Sequence, residues 1–259
     1  MKLTIITVVF NGAKTIKNTI ESVLNQTYKN VEYIVIDGNS SDNTMEIVNG
    51  YKNKISTIIS EPDRGLYDAI NKGIALATGD VIGLLHSDDF YTDNAVLQRV
   101  VSKFEEIKSD TVFADLLYIK NDNLDLVLRY FSAKNFTPKK LTYGLMPPHP
   151  TFFVKKSIYE QYGTYRTDLK IASDYEMFVR LLYKNNVSYS YIHFPIVKMR
   201  VGGLSGGGLR NKMLMNREVV RAIKDNGIHA SCLLILRKYP IKVLEVIKGY
   251  VYNFLKKRD

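Results

Sequence analysis

Short apolar runs alternate with helical stretches along the first hundred residues, and this alternation constrains the fold more than any other feature. The runs lie at residues 3–10, 31–36, 57–60 and 81–85. Between the first two, Ile16, Ile20 and Val23 recur at helical spacing. Helices are also predicted at residues 44–51 and 67–77. Buried strands joined by helices predict an α/β fold, Rossmann-like, with a mostly parallel central sheet flanked by helices.

The pattern changes after a predicted helix at Thr92 to Lys108. Strands are then expected at residues 111–119, 124–131, 151–154, 187–194 and 196–201, with a helix at 173–184. A glycine-rich stretch, residues 202–208, precedes a helical tail. We therefore predict one domain with two halves, 1–108 and 109–208, followed by a tail at 209–259.

The tail carries most of the positive charge. The chain has a formal net charge of +10, and residues 209–259 hold 12 Lys and Arg against 4 Asp and Glu. Within this tail Leu244, Ile247 and Val251 recur at helical spacing among lysines. Such a helix either lies in an anionic membrane interface or packs on the core with solvated lysines.

Composition excludes several other classes of protein. Cys232 is the single cysteine, in an apolar run, so it is expected to be a buried thiol and no intrachain disulfide is possible. No basic leader and no run of eighteen apolar residues is present, which predicts a cytoplasmic protein that does not span a membrane. A Rossmann oxidoreductase is disfavoured because the first loop lacks the G-x-G-x-x-G turn, and no Walker lysine motif occurs either.

Polar residues follow each of the first four predicted strands. They are Asn11, Asp37, residues 62–65 and residues 87–89. The carboxyl ends of parallel strands lie at one edge of a sheet, where ligands collect. We therefore expect these side chains to form a single rim.

The pair Asp88 and Asp89 follows the fourth strand. Carboxylate oxygens bind hard divalent cations, and Mg²⁺ or Mn²⁺ bound there would bridge to a diphosphate. The alternative is a helix cap or a solvated turn. Thr92 is better placed to cap the next helix, which leaves the two aspartates without a structural task.

Two further rim residues have both a ligand role and a structural alternative. Asp37 either accepts hydrogen bonds from a base or ribose or caps the next helix, although Asp42 or Ser41 could provide that cap. Arg64 offers a planar cation to a phosphate or a base, or is simply exposed. Asp68 and Asn71 lie on one face of the following helix and either orient Arg64 and line the rim or form a surface ion pair.

Two residues of the second half are candidates for the chemistry. The spacing of Ser173 and Glu176 predicts a capping box, with Asp174 at the first position of the helix. A carboxylate there interacts favourably with the helix dipole, and its ionised form can also act as general base. His149 lies between two prolines and either faces the cleft or is structural.

Taken together, these segments resemble glycosyltransferase family 2, the inverting transferases with the GT-A fold. The resemblance covers roughly the first four fifths of the chain and depends on the order and spacing of its segments. The matching segments are residues 7–12, 35–42, 63–65, 67–73, 77–80 and 87–89.

This resemblance implies a role for each site residue. The nucleotide or donor would contact Thr7, Val9, Phe10, Asn11, Asp37, Arg64, Asp68, Asn71 and Asp88. Asp88 would bind the ribose, Asp89 the metal ion, Mn²⁺ or Mg²⁺, and Asp174 would be the catalytic base. His149 would lie at the rim of the acceptor or donor sugar. The D-x-D metal motif of the family reads Ser87-Asp88-Asp89 here, which departs at its first position.

The resemblance also implies substrates and partners. The donor would be a nucleotide-diphosphate sugar, with UDP as the nucleotide by family analogy, bound by residues 1–108. The acceptor would be a glycan or polyprenyl-linked oligosaccharide of surface polysaccharide biosynthesis, bound by residues 109–208. The tail would then hold the enzyme at the inner face of the cell membrane.

Two rival functions have less support in the sequence. A nucleic-acid-binding protein could use the same basic tail, but no nucleic-acid motif accompanies it. A nucleotide-sugar-binding protein without transferase activity is the other alternative. A nucleotidyltransferase would need a glycine-rich first loop with Arg and Lys, which this sequence lacks.

Overall fold

The computed structural model describes residues 1–202, 208–229 and 238–256. Nine strands form one sheet within these residues. They are β1 (Leu3–Val9), β2 (Val31–Asp37), β3 (Thr57–Ser60), β4 (Val81–Leu84), β5 (Asp89–Tyr91), β6 (Thr111–Lys120), β7 (Asn123–Phe131), β8 (Phe153–Lys155) and β9 (Tyr189–Arg200).

Eight α-helices occur in the described part of the chain. They are α1 (Ile16–Leu24), α2 (Thr44–Asn49), α3 (Leu66–Leu76), α4 (Val96–Ile107), α5 (Lys156–Tyr162), α6 (Ser173–Phe178), α7 (Leu209–Asp225) and α8 (Lys238–Lys256). Helix α6 continues into a wider π-helical turn, Val179–Lys184. Short 3-10 turns lie at Pro138–Tyr143 and His149–Thr151.

The sheet is parallel in its first half and mixed in its second. Its order is β3-β2-β1-β4-β8-β6-β9-β5, with β7 paired to β6. The pairs among β1 to β4 are parallel, whereas β8 and β5 pair antiparallel to their neighbours. The predicted α/β class, with a mostly parallel half and a mixed second half, is confirmed.

The sheet is curled, and the curl brings β5 back towards β4. In a flat sheet four strand spacings would separate them by about 19 Å. The chain from Leu84 to Asp89 spans at most about 17 Å when fully extended. The sheet therefore bends, and this bend holds residues 85–88 beside the carboxyl ends of the parallel strands.

Hydrophobic clusters cover both faces of the sheet. Ile5 and Val35 pack under α1, α2 and α4, whereas Ile6 and Ile34 pack on the other side with α3, α6 and α7. Since both faces of these strands are buried, their sequences are continuously apolar instead of alternating.

Several predicted boundaries differ from the structure. Helix α4 begins at Val96 and not at Thr92, and the predicted Thr92 cap is wrong because its hydroxyl donates to Pro195 O at 3.0 Å. The predicted strands at 187–194 and 196–201 are the single strand β9, whose pairing with β6 shifts register near Pro195. Strand β5 and helix α5 were not predicted.

The predicted capping box before Asp174 is also wrong. Helix α6 has Ala172 at its N-cap, and the Ser173 hydroxyl is buried without a hydrogen-bond partner. The Glu176 carboxylate turns away and pairs with Arg180 at 3.0 Å. Asp174 is consequently the second residue of the helix. At α2 the N-cap is Asn43, without a side-chain cap hydrogen bond, so neither Asp42 nor Ser41 is the predicted cap; Asp42 instead accepts the Thr44 N–H at 3.0 Å.

The described part of the tail forms two helices, α7 and α8, and each packs on the domain. Helix α7 buries Val219, Ala222 and Ile223 in the core. Helix α8 lies along β7, where Asn253 bonds both the N–H and the C=O of Val127. No helix in the described ranges is long and apolar enough to cross a membrane. Cys232 lies outside the described residues.

Candidate active site

The loops after β1 and β2 are joined by hydrogen bonds at the predicted rim. The Asn11 N–H donates to Ser40 Oγ at 2.7 Å, and Ser41 N–H donates to Asn11 Oδ1 at 2.9 Å. Asn11 and Asn39 both have positive φ, of 51° and 64°, a conformation that asparagine tolerates better than most residues. The two loops therefore hold each other in a defined, tightly turned shape.

Two glycines let the remaining loops approach this pair. A Cβ on Gly12 would lie 3.3 Å from Ser87 Oγ, and a Cβ on Gly38 would lie 2.5 Å from Asp63 Oδ2. The Phe10 ring is also next to Gly38, at 3.5 Å from such a Cβ. The structure thus brings together the carboxyl ends of β1, β2, β3 and β4, as the sequence predicts for a parallel sheet.

Asp37 is the buried carboxylate at the centre of these loops. It is 0% exposed and accepts hydrogen bonds from Ser40 N–H at 3.0 Å, Ser40 Oγ at 2.5 Å and Ser60 Oγ at 2.7 Å. A carboxylate offers about four acceptor positions, and donors of the protein itself occupy three of them. The arrangement fixes the orientation of Asp37 beneath the rim.

Phe10 and Arg64 are the exposed members of the rim. Phe10 is 65% exposed, which is unusual for a phenylalanine, and the Arg64 side chain is 82% exposed. Asp68 tethers Arg64 by accepting its guanidinium at 2.9 Å and its N–H at 3.0 Å, and this contact raises the pKa of Arg64. The rim therefore presents an aromatic face and a permanent planar cation to solvent.

Three of the predicted donor-binding residues have their side chains away from the rim surface. The Thr7 hydroxyl is buried and accepts a hydrogen bond from Tyr33 at 3.0 Å, and Val9 is in the core under Gly12. The Asn71 amide bonds both the C=O and the N–H of Tyr165, at 2.8 and 2.9 Å. Their contact with a nucleotide stays a prediction, and Asn71 has an evident structural task.

Asp89 is a buried carboxylate without a partner. It begins β5, is 0% exposed, and neither of its carboxylate oxygens has a hydrogen-bond partner. Burial raises its pKa well above the usual value and the nearby Asp88 raises it further, whereas Arg200 opposes both effects. Its backbone is nevertheless fixed, because Thr19 Oγ donates to Asp89 O at 2.7 Å.

An uncompensated buried carboxylate of this kind fits a divalent cation. In the described part of the chain no group of three or more His, Cys, Asp or Glu comes together to hold a metal ion alone. Mg²⁺ and Mn²⁺ are commonly held by only one or two carboxylates together with phosphate oxygens of a substrate. Asp89, with Asp88 beside it, has the unused carboxylate oxygens for that arrangement.

Asp174 lies near the amino end of α3. Its Oδ1 accepts hydrogen bonds from Tyr175 N–H at 2.7 Å and from the Tyr67 hydroxyl at 3.3 Å. Burial raises the pKa of Asp174 to about 6, and the hydrogen bonds from Tyr175 and Tyr67 oppose this rise. Tyr67 lies three residues after Arg64, at the start of α3, so Asp174 and Arg64 contact the same short segment of the chain.

Four rings, which we call the aromatic bridge, connect Asp174 to the Asp88 segment. They are Tyr67, Tyr165, His149 and His86. Tyr67 stacks on Tyr165 at 5.8 Å, Tyr165 bonds His149 Nε2 at 2.8 Å, and His149 stacks on His86 at 5.7 Å. His149 is buried, and this burial lowers its pKa to about 3, so its ring is neutral. Its place is inside the bridge and not on an open surface.

Of the four bridge residues only His149 was predicted as a site residue, and Arg200 was not predicted. Arg200, at the end of β9, donates to Asp88 O at 2.6 Å and is only 8% exposed. Tyr67 lies in a segment that the resemblance matched, but a tyrosine at the start of an amphipathic helix is usually a core residue. No local pattern marks Tyr165 or Arg200, because their partners lie far away in the sequence.

The site agrees with the family comparison. The model for glycosyl transferase family 2 matches residues 4–163, which include the whole rim. The chain belongs to this family, and it is a glycosyltransferase.

Relatives and solved structures support this assignment. An uncharacterised glycosyltransferase from Mycobacterium tuberculosis is 33% identical over 180 residues, covering 69% of this chain and 68% of that protein. One from Rickettsia typhi is 28% identical over 260 residues, covering 98% of this chain and 77% of the relative. The crystal structure of S. aureus TarS 1-349 in complex with UDP-GlcNAc has a TM-score of 0.69 at 19% identity, covering 88% of this chain and 68% of that one. The likeness to TarS confirms the GT-A fold.

Proposed function

We propose that this enzyme transfers a sugar from a UDP-sugar to a hydroxyl group of a glycan or lipid-linked oligosaccharide, with inversion at the anomeric carbon. The observation that carries the proposal is the hydrogen bond between Tyr67 and Asp174. Asp174 is a candidate base with a raised pKa, and this bond connects it to α3, the helix that begins just after Arg64. In this proposal residues 1–108 bind the donor and residues 109–208 the acceptor.

The rim supplies complementary groups for a uridine diphosphate. Asp37 is the proposed acceptor for a base or ribose donor, and Phe10 offers an exposed ring for stacking. Arg64 presents donors in a fork that matches phosphate oxygens. Uridine as the base is proposed because the TarS structure that this chain resembles contains UDP-GlcNAc.

The proposal includes Mn²⁺ or Mg²⁺ at Asp89. When bound, such an ion neutralises charge that develops on the departing diphosphate. The residues of the chain contribute the rest of the chemistry: Asp89 holds the ion, Asp88 binds the ribose, and Arg64 binds phosphate oxygens.

Asp174 is the proposed general base. With a pKa of about 6 its carboxylate is mostly ionised at pH 7, and it remains basic enough to accept a proton from a sugar hydroxyl in the transition state. The oxygen of that hydroxyl attacks the anomeric carbon as the bond to the diphosphate breaks. A single displacement of this kind inverts the configuration.

The test is release of the nucleotide from a panel of nucleotide sugars with different bases, UDP-sugars among them, measured in Mn²⁺ with and without polyprenyl-linked oligosaccharide acceptors. We expect one UDP-sugar to give release that depends strongly on the acceptor, and NMR of the product to show the inverted anomer. A retained configuration would contradict the single displacement, and release from other nucleotide sugars only would contradict the choice of uridine.

Membrane attachment through α8 belongs to the same proposal. The side of α8 that faces away from β7 is apolar and exposed. It includes Val243, Leu244, Ile247, Tyr250, Val251 and Leu255, each more than half exposed. The single acidic residue between Ile241 and Leu255 is Glu245, which is buried and bonded to Arg129 at 2.6 Å. An apolar face on a cationic tail is typical of helices that bind anionic interfaces.

Replacing both Ile247 and Val251 by serine is expected to reduce binding to phosphatidylglycerol vesicles by roughly tenfold, since it removes two exposed aliphatic side chains from the interface. Flotation of the full chain measures this. Ile107→Ser is the control, because Ile107 is an aliphatic residue that is 49% exposed at the end of a different helix, α4. Equal flotation of all three proteins would contradict the membrane role.

A further inference from the structure

One carboxylate of α7 holds the segment that precedes Asp174. Glu218 is 7% exposed, and its Oε1 accepts the Lys170 N–H at 2.9 Å. Its Oε2 accepts the N–H groups of Ile171 at 2.8 Å and Ala172 at 3.0 Å. Three consecutive amides therefore converge on one side chain through charge-assisted hydrogen bonds, which are stronger than neutral ones.

The same segment is held from its other side by Tyr67. The Tyr67 hydroxyl donates to Ile171 O at 2.8 Å and also contacts Asp174 Oδ1 at 3.3 Å. Helix α6, which carries Asp174, has only six residues and no side-chain cap. Met177 and Phe178 of this helix are buried in the core, and the contacts with Glu218 and Tyr67 fix the uncapped residues that precede Asp174.

Helix α7 packs in the core, so the position of Glu218 relative to the sheet is fixed. Val219, Ala222 and Ile223 are buried in the core. Asp225 pairs with Arg166 at 2.7 Å, which ties the end of α7 to the stretch that leads into the segment. A shift of Glu218 relative to the sheet would therefore disrupt core packing.

We propose that Glu218 is a positioning residue for sugar transfer, which fixes residues 170–172 and thereby the Asp174 carboxylate, so that α7 forms part of the active site. This inference rests on the proposed role of Asp174 as general base. It assigns a catalytic task to a helix that the family model does not reach, since that match ends at residue 163.

The negative charge of Glu218 also acts on Asp174. Burial is the main reason why the pKa of Asp174 is raised, and Glu218 raises it further. Tyr67 on α3 and Tyr165 before α6 also face Asp174. Burial raises the pKa of both tyrosines well above the usual value, so they are neutral in acid and neutral solution. His149, beyond Tyr165, is neutral as well.

Glu218→Gln keeps the length of the side chain but removes its charge and replaces one acceptor oxygen by a donor. We expect kcat to fall by roughly 10- to 100-fold, because small displacements of a catalytic group have effects of this size. The KM for the donor should not change, since the rim is untouched. The acid limb of the kcat profile should move to lower pH, because loss of the negative charge lowers the pKa of Asp174.

Two further variants separate position from charge. Glu218→Asp retains the charge but is too short to reach three amides, so it should lower kcat and leave the acid limb near its wild-type pH. Arg221→Gln is the control on the same helix, where it removes the ion pairs of the half-exposed Arg221 with Asp168 and Asp225. Arg221→Gln should retain the wild-type kcat, and the acid limb of its kcat profile should lie at the wild-type pH.

Wild-type kcat in Glu218→Gln, or reduced kcat with an unmoved acid limb, would overturn the inference. If Glu218→Gln shows no cooperative thermal transition and is therefore unfolded, the test rests on Glu218→Asp. A lowered kcat with an unchanged KM for the donor in that variant supports the positioning role of Glu218, and a wild-type kcat overturns it. A wild-type enzyme without acceptor-dependent UDP release would instead mean that the proposed function itself has failed.

Discussion

Asp174→Asn is expected to reduce kcat by roughly 10²- to 10⁴-fold, which is the usual contribution of a general base. The amide has nearly the same size and can still accept the hydrogen bonds from Tyr67 and Tyr175, but it cannot take a proton. Donor binding should persist, because Asp174 lies in a different segment from the rim loops. UDP release under saturating donor measures the first effect, and UDP-sugar titration measures the second.

The dependence of kcat on pH tests the role of Asp174 most directly. The pKa of Asp174 is raised to about 6, so the wild-type rate should fall as pH drops through that value and the base is protonated. The residual rate of Asp174→Asn should lack this acid limb. Asp168→Asn is a matched control, since Asp168 lies in the same stretch but is half exposed and paired with Arg166. A wild-type rate in Asp174→Asn would refute the assignment.

The parallel half of the fold was predictable because its signals are local. Each of the strands β1 to β4 is an apolar run that ends at a polar loop, and such runs need only the neighbouring helices to be recognised. The convergence of Asn11, Asp37 and Ser87 then follows from topology alone, because parallel strands end at one edge.

Strand β5 was not predictable for the opposite reason. Asp89 begins a strand of three residues that pairs with Met199, a partner 110 positions away. The sequence around it is polar and gives no strand signal. Its burial without a hydrogen-bond partner is visible only in three dimensions, yet that burial is the strongest physical argument for a cation.

The errors in helix capping have a common cause. Ser173 and Glu176 have the spacing of a capping box, but Glu218 of α7 takes up the N–H groups before the helix. Glu176 instead binds Arg180 and Asn226. Local patterns assume that orphan amides are capped from nearby in sequence, and here a distant helix supplies the acceptor. The wrong capping prediction therefore concerns the same segment that Glu218 of α7 holds next to Asp174.

Asp89→Asn is expected to make the metal-free protein more stable and the enzyme almost inactive. In wild type the buried carboxylate has no partner, and an unsatisfied buried group of this kind costs about 1–3 kcal/mol, more when it is charged. A neutral amide lowers that cost, so in EDTA the variant should melt several degrees higher than wild type. Loss of a metal ligand should reduce transfer by about 10²-fold or more, since a bound ion contributes several kcal/mol to the transition state.

Ligand-induced stabilisation separates a metal ligand from a merely buried acid. Mn²⁺ with UDP should raise the melting temperature of wild type, because a ligand that binds the folded state stabilises it by mass action, and should leave Asp89→Asn almost unchanged. Asp115→Asn is the contrasting control: Asp115 is also buried, but it already accepts hydrogen bonds from Tyr130, Tyr191 and Ala133, so its substitution should lower stability in EDTA. A less stable Asp89→Asn protein that still responds fully to Mn²⁺ with UDP would show that Asp89 is a structural acid.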